Sequence, residues 1–125
     1  IDRGLKFFSD YSRRRLLGDH VPYAVEAWPE GNQRHLSAES ALYCRVVTEG
    51  IFGFRPAGLN SFSITPQLPS GWHYMDLNNL IVSGGKRIDI SVTRTGSKIK
   101  VVLKCDGKTL KSAEVKNGSR IDIKV

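Results

Sequence analysis

The chain has 125 residues, of which 40% are hydrophobic and 25% are charged, and its formal net charge is +7. These proportions are typical of a soluble globular protein, and no apolar run reaches the roughly 18–20 residues needed to cross a bilayer. The first residues carry charge throughout, show no signal-peptide pattern and do not begin with methionine. We therefore expect the chain to start inside a longer protein or after processing.

The cysteine content leaves the compartment open. Cys44 and Cys105 are the only cysteines, and two cysteines do not make a disulfide framework, so we expect two thiols. The sequence predicts a soluble protein without a membrane partner. Periplasmic and secreted locations are both compatible with it.

The positive charge is concentrated in the last forty residues. Residues 1–85 contain 8 basic and 8 acidic residues, whereas residues 86–125 contain 11 basic and 4 acidic ones. Lys98, Lys100 and Lys104 alternate with apolar residues, which is typical of a half-buried strand with a solvated face. No aromatic residues alternate with them to stack on bases, so we expect no nucleic-acid partner.

Two helices are predicted in the first half of the chain. The first runs from Leu5 to Leu17 and ends at Gly18. The second runs from Ser37 to Gly50 and is apolar almost all round. Such a helix needs neighbours on every side, and the rest of the chain does not easily supply them. This is a physical reason to expect a longer protein.

The sequence changes to a strand pattern after Pro56. Short alternating runs are separated by turn residues, and Asp106-Gly107 and Asn117-Gly118 are strong hairpin signals. Their spacing of about ten residues predicts a small antiparallel sandwich or barrel. The predicted strands are Ser61–Thr65, Leu77–Val82, Arg87–Thr95, Lys98–Lys104, Thr109–Val115 and Arg120–Lys124.

The segment between the two predicted helices, residues 19–35, is the candidate for chemistry. It contains carboxylates, histidines, an arginine and large aromatic residues. Loops between rigid elements often carry binding and catalytic residues. Aromatic rings offer apolar faces to sugar rings, and carboxylates can accept hydrogen bonds from sugar hydroxyls. An ordinary capping loop is the alternative interpretation.

Several chemistries are disfavoured for this segment. His20, Glu26 and His35 match no metal-ligand motif, so we predict no metal. No nucleophile elbow and no phosphate-binding glycine loop is present, and we predict no cofactor. Paired carboxylates remain, and glycoside hydrolysis requires two of them. This segment can supply one, and the other has to come from elsewhere.

The run Tyr-Ala-Val-Glu-Ala-Trp-Pro-Glu-Gly at residues 23–31, followed by Ser37-Ala38, resembles the last segment of (α/α)6-toroid glycosidases. This six-hairpin group includes glucosidase-I-like and trehalase-like enzymes. The stretches Gly-Ile-Phe-Gly-Phe-Arg-Pro at 50–56 and Ile-Thr-Pro-Gln-Leu-Pro-Ser-Gly-Trp at 64–72 are similar to the exit from the toroid into a terminal β-sandwich. The tryptophan that often precedes Ser-Ala in the better-known families is absent here.

The resemblance implies an α+β chain: the last two helices of an (α/α)6 toroid in residues 1–55, with an active-site loop at 19–35, then an antiparallel β-sandwich in residues 56–125. It implies that the chain is the C-terminal part of a glycoside hydrolase acting on oligo- or polysaccharide. The general acid would then lie in an upstream catalytic toroid of the same protein. Glu26 is implied as the general base of an inverting mechanism, with Glu30 as the alternative. The implied substrate-binding residues are Tyr23, Trp28, Arg34 and His35.

Two other functions compete with hydrolysis. A non-catalytic carbohydrate-binding or interaction module would use the sandwich itself, and a strand face with several exposed aromatic residues would favour it. After Trp72 and Tyr74 the sequence contains no aromatic residue, which counts against sugar binding by the sandwich. A glycoside phosphorylase would require basic residues around the cleft, and Arg34 is one candidate.

Overall fold

A computed structural model describes residues 1–16 and 37–125. The chain divides into two compact units, Ile1–Val47 and Thr48–Val125, called here the helical unit and the β unit. No helix in the described ranges combines the length and apolar character that a membrane span requires. Cys44 and Cys105 are thiols and not parts of a disulfide.

The helical unit contains α1, Asp2–Leu16, and α2, Ser37–Arg45. Asp2 lies in the first turn of α1, where a negative charge is favoured by the helix dipole. The helices meet through aromatic rings: Phe8 and Tyr43 stack with centroids 4.7 Å apart, and the hydroxyls of Ser12 and Tyr43 lie 3.0 Å apart. After α2 the chain continues as a π-helical turn, Val46–Ile51.

The β unit contains two antiparallel sheets with seven strands in its described residues. The three-stranded sheet has the order β1-β2-β7, and the four-stranded sheet has the order β3-β4-β5-β6. A 3-10 turn, Ser83–Gly85, joins β3 to β4. The strands are β1 Arg55–Gly58, β2 Ser61–Ile64, β3 Tyr74–Ile81, β4 Arg87–Thr95, β5 Lys98–Cys105, β6 Lys108–Val115 and β7 Ile121–Lys124.

Alternation along the strands builds the core of the β unit. In β4, Ile88, Ile90 and Val92 have no exposed surface, whereas the residues between them are partly exposed. The same period of two appears in β5, as expected where one sheet face is buried. Burying each such aliphatic side chain contributes about 1.5–3 kcal/mol. Both sheets contribute to the core, because Ile64 of β2 and Ile121 and Ile123 of β7 are also buried.

A loop between the two sheets, residues 65–72, is partly buried and hydrogen-bonded to other parts of the β unit. Leu68, Pro66 and Pro69 are among its fully buried side chains. Its backbone is tied to the end of the π-helical turn, since Thr65 N–H donates to Phe52 C=O at 3.1 Å and Gln67 N–H donates to Ile51 C=O at 2.9 Å. Because this loop has no repeating strand pattern, its order depends on these individual hydrogen bonds.

The predicted toroid architecture is wrong. The described chain is mostly β, with two helices and two antiparallel sheets, and it does not consist of closing toroid helices followed by a sandwich. The second helix was expected to be buried on all sides, but Leu42 is 57% exposed. Its α-helical part also ends at Arg45, before the predicted end at Gly50. The resemblance to six-hairpin glycosidases therefore does not hold.

The hairpin prediction is right at Asp106-Gly107 and wrong at Asn117-Gly118. The first dipeptide joins β5 to β6, and both residues have positive φ, 48° and 79°, as a tight two-residue hairpin turn requires. The second dipeptide carries the chain out of the four-stranded sheet, and β7 then pairs with β2. A turn signal predicts a change of direction, whereas the pairing partner depends on which strand edge is unpaired.

Candidate functional site

The six residues predicted as catalytic or substrate-binding lie outside the described residues. All of them fall within residues 17–36, so their roles stay predictions. They are Tyr23, Glu26, Trp28, Glu30, Arg34 and His35.

The face of the four-stranded sheet opposite the core is a regular, solvent-exposed surface. Strand register aligns four exposed side chains across it, one from each strand: Tyr74 of β3, Thr93 of β4, Lys100 of β5 and Glu114 of β6. We call this set the tyrosine row. Neighbouring strands lie about 4.8 Å apart, so the row presents a ring, a hydroxyl, an ammonium and a carboxylate in sequence.

The tyrosine ring is the distinctive member of the row. Tyr74 is 67% exposed, and an aromatic face with polar neighbours can stack on the apolar face of a sugar while the neighbours form hydrogen bonds. This residue was not predicted as a site residue, because a single aromatic residue in the sequence does not form the exposed aromatic patch that was expected of a sugar-binding strand face. The alternation of Tyr74 with Met75, which is buried, was the signal that could have placed the ring on the open face.

The lysines of this face have acidic neighbours across the strands. Lys104 is in register with Asp89, and Lys100 is in register with Glu114. Opposite charges in such positions stabilise antiparallel sheets by a few tenths of a kcal/mol to about 1 kcal/mol per pair. The predicted solvated strand face is therefore present in β5, where the lysines are exposed and Ile99, Val101 and Leu103 are buried.

A polar recess of about 510 Å³ lies beside the β5–β6 turn, lined by Asn79, Gly85, Arg87, Asp89, Asp106 and Gly107. Its carboxylates bind backbone amides: Asp89 accepts from Asn79 N–H at 2.9 Å, and Asp106 accepts from Arg87 N–H at 3.0 Å. These contacts hold the bulge of β3 and the start of β4. The described residues contain no group of three or more side chains suited to hold a metal ion.

The described surface also has two apolar depressions. In the helical unit, a cleft of about 620 Å³ is lined by Phe7, Phe8, Tyr11, Leu42, Tyr43 and Val46. In the β unit, a groove of about 240 Å³ lies beside the β1–β2 hairpin, where Leu59 is 82% and Ile81 is 60% exposed. Among the residues that line them there is no Asp, Glu, His, Lys or Arg.

Comparisons with protein-family models, with curated proteins and with solved structures give no match for this chain.

Proposed function

We propose that this chain takes part in the hydrolysis of glycosidic bonds in an oligo- or polysaccharide, with segment 19–35 supplying the chemistry. The observation that carries the proposal is the composition of that segment. It combines Glu26 and Glu30 with the aromatic residues Tyr23 and Trp28. The proposal rests on these residues and not on resemblance to a family.

The chemistry requires two carboxyl groups with different roles. One protonates the leaving oxygen, and the other activates water or attacks the sugar. We assign water activation to Glu26, in an inverting mechanism, with Glu30 as the alternative. Tyr23 and Trp28 stack on the sugar, and Arg34 and His35 bind hydroxyls or orient the carboxylate. The general acid lies outside this segment.

The β unit then has a supporting role. Its buried core and the hydrogen bonds to loop 65–72 are features of a rigid scaffold. A periplasmic or secreted location is part of the proposal.

Replacing Glu26 with glutamine should remove hydrolysis in the native protein. Glutamine has nearly the same shape but cannot accept a proton from water, and loss of a general base lowers the rate by about 100-fold or more. The measurement is the release of reducing sugar from a panel of oligosaccharides, with far-UV circular dichroism to verify folding.

Glu30→Gln is the matched control, since it makes the same change in the same segment. Loss of activity in Glu30→Gln with retention in Glu26→Gln would transfer the role to Glu30. Full activity in both variants, or no glycosidase activity in the native protein, would reject the hydrolase proposal.

A second function, non-catalytic carbohydrate binding by the β unit, is favoured by the exposed ring of Tyr74. Tyr74→Ala should weaken binding to a soluble polysaccharide by roughly tenfold, which corresponds to about 1.4 kcal/mol. Retardation during electrophoresis through gels containing the polysaccharide measures this directly.

Leu59→Ala is the control for the binding experiment, because Leu59 is even more exposed and lies outside the tyrosine row. Equal retardation of both variants and the native protein would exclude the row as the binding surface. Because Tyr74 and Glu26 lie in different segments, the two experiments distinguish the two functions.

A further inference from the structure

The turn between β6 and β7 contains the only Asn-Gly step of the chain, Asn117-Gly118. Gly118 has a φ of 81°, a conformation that glycine adopts without a steric penalty. This turn lies against loop 65–72, and the two are joined by side-chain and backbone hydrogen bonds.

The Asn117 side chain pairs with the backbone of Leu68 as a second peptide group would. Leu68 N–H donates to Asn117 Oδ1 at 2.8 Å, and Asn117 Nδ2 donates to Leu68 C=O at 2.8 Å. Gly118 N–H donates to Pro66 C=O at 2.9 Å. Three hydrogen bonds therefore fix the asparagine amide and the following backbone nitrogen in the folded state.

These atoms are the reactants of intramolecular deamidation. The backbone nitrogen of the following residue loses its proton to a base and attacks the asparagine Cγ. A new C–N bond closes a five-membered succinimide, the bond from Cγ to Nδ2 breaks, and ammonia leaves. Water then opens either carbonyl of the ring to give aspartate or isoaspartate. No oxidant or reductant is required.

We propose that Asn117 is a deamidation site whose reaction is controlled by opening of loop 65–72. While the loop is closed, Gly118 N–H is engaged by Pro66, and the amide of Asn117 cannot rotate toward the Gly118 nitrogen without breaking both bonds to Leu68. Local opening releases all three groups together. Glycine at position 118 then offers the least steric resistance to ring closure.

The reaction runs in one direction because ammonia leaves, and its product cannot restore the hydrogen bonds of the closed loop. Deamidation replaces Nδ2, which donates to Leu68 C=O, with an oxygen that cannot donate when ionised. Isoaspartate also lengthens the backbone between positions 117 and 118 and displaces the bond from Gly118 to Pro66. Each opening of the loop therefore allows Asn117 to deamidate, and deamidation permanently weakens the attachment of loop 65–72.

The experiment follows deamidation at mildly alkaline pH by peptide mapping with mass spectrometry. It compares the native protein, the same protein in urea, and the variant Arg94→Met, which loosens loop 65–72 without touching the Asn-Gly step. We expect conversion of Asn117 to be at least about tenfold slower in the native protein than in urea. The rate in Arg94→Met should lie between these two.

Asn60, which is followed by serine, is the internal control in every sample and should react much more slowly than Asn117 in urea. Equal rates at Asn117 in native protein and in urea would overturn the proposal, as would a native rate unchanged by Arg94→Met. Asn117→Asp provides a second readout, because this mimic of one product should lower the melting temperature. A melting temperature equal to that of the native protein would show that the modification does not weaken the loop.

Discussion

Gly53→Ala should be the most damaging single methyl addition in the β unit. A Cβ atom at position 53 would lie 2.5 Å from the carbonyl oxygen of Thr65 and 2.8 Å from its nitrogen. Gly53 is buried and has a φ of 64°. We expect a loss of about 3–5 kcal/mol in the free energy of unfolding, combining left-handed strain with overpacking against the backbone.

Gly84→Ala is the matched control for this substitution. Gly84 has a similar φ of 76°, but a Cβ added there would meet nothing within 4 Å. The free energy of unfolding of Gly84→Ala should therefore fall only by the cost of placing alanine in a left-handed conformation, about 1–2 kcal/mol. Urea denaturation followed by circular dichroism measures both variants, and equal losses would show that contact with Thr65 does not matter.

Arg94→Met should cause the second large loss in the free energy of unfolding, because this one side chain donates to three backbone carbonyls of loop 65–72. The Arg94 guanidinium donates to the carbonyls of Trp72 at 3.1 Å, Leu68 at 3.3 Å and Pro69 at 2.6 Å. Methionine keeps an apolar stem but leaves these acceptors without their charged donor. We expect the free energy of unfolding to fall by about 2–3 kcal/mol. Urea denaturation followed by circular dichroism measures this change.

Arg87→Met makes the same chemical change at an exposed position in the same strand and should change stability by less than about 0.5 kcal/mol. Arg94→Lys should recover only part of the loss, since a single ammonium cannot reproduce the planar fork that reaches three carbonyls. Arg94→Met with the stability of Arg87→Met would show that the hydrogen bonds of Arg94 do not hold the loop.

The strands of the second half of the chain were predictable because their signal is local. Arg87–Thr95 was predicted and observed with the same bounds. Its signals are the apolar residues at every second position from Ile88 to Val92 and the glycine that directly follows the strand, and both can be read from neighbouring residues. The β5–β6 hairpin was predictable for the same reason. The short strand β1 was missed, because its four residues, Arg55–Gly58, are all exposed and show no alternation.

The candidate site was predicted less well than the strands. Segment 19–35 was selected by composition, which indicates polar chemistry but gives no distances between its carboxylates. The tyrosine row was missed because its members are separated by up to 40 positions in the sequence and meet only through strand register. A resemblance in short motifs also suggested a helical toroid that the described architecture does not have.

The sequence by itself determined the local features of this protein: the alternating strands, the β5–β6 turn, and the solvated lysines of β5. Only the tertiary structure decided that β7 leaves the four-stranded sheet to pair with β2, that Arg94 and Asn117 hold loop 65–72, and that Gly53 lies against Thr65. The physical reason is the separation along the chain between the residues that interact. Periodicity and turn propensity act between neighbours in the chain, whereas these contacts join residues that come together only when the core forms.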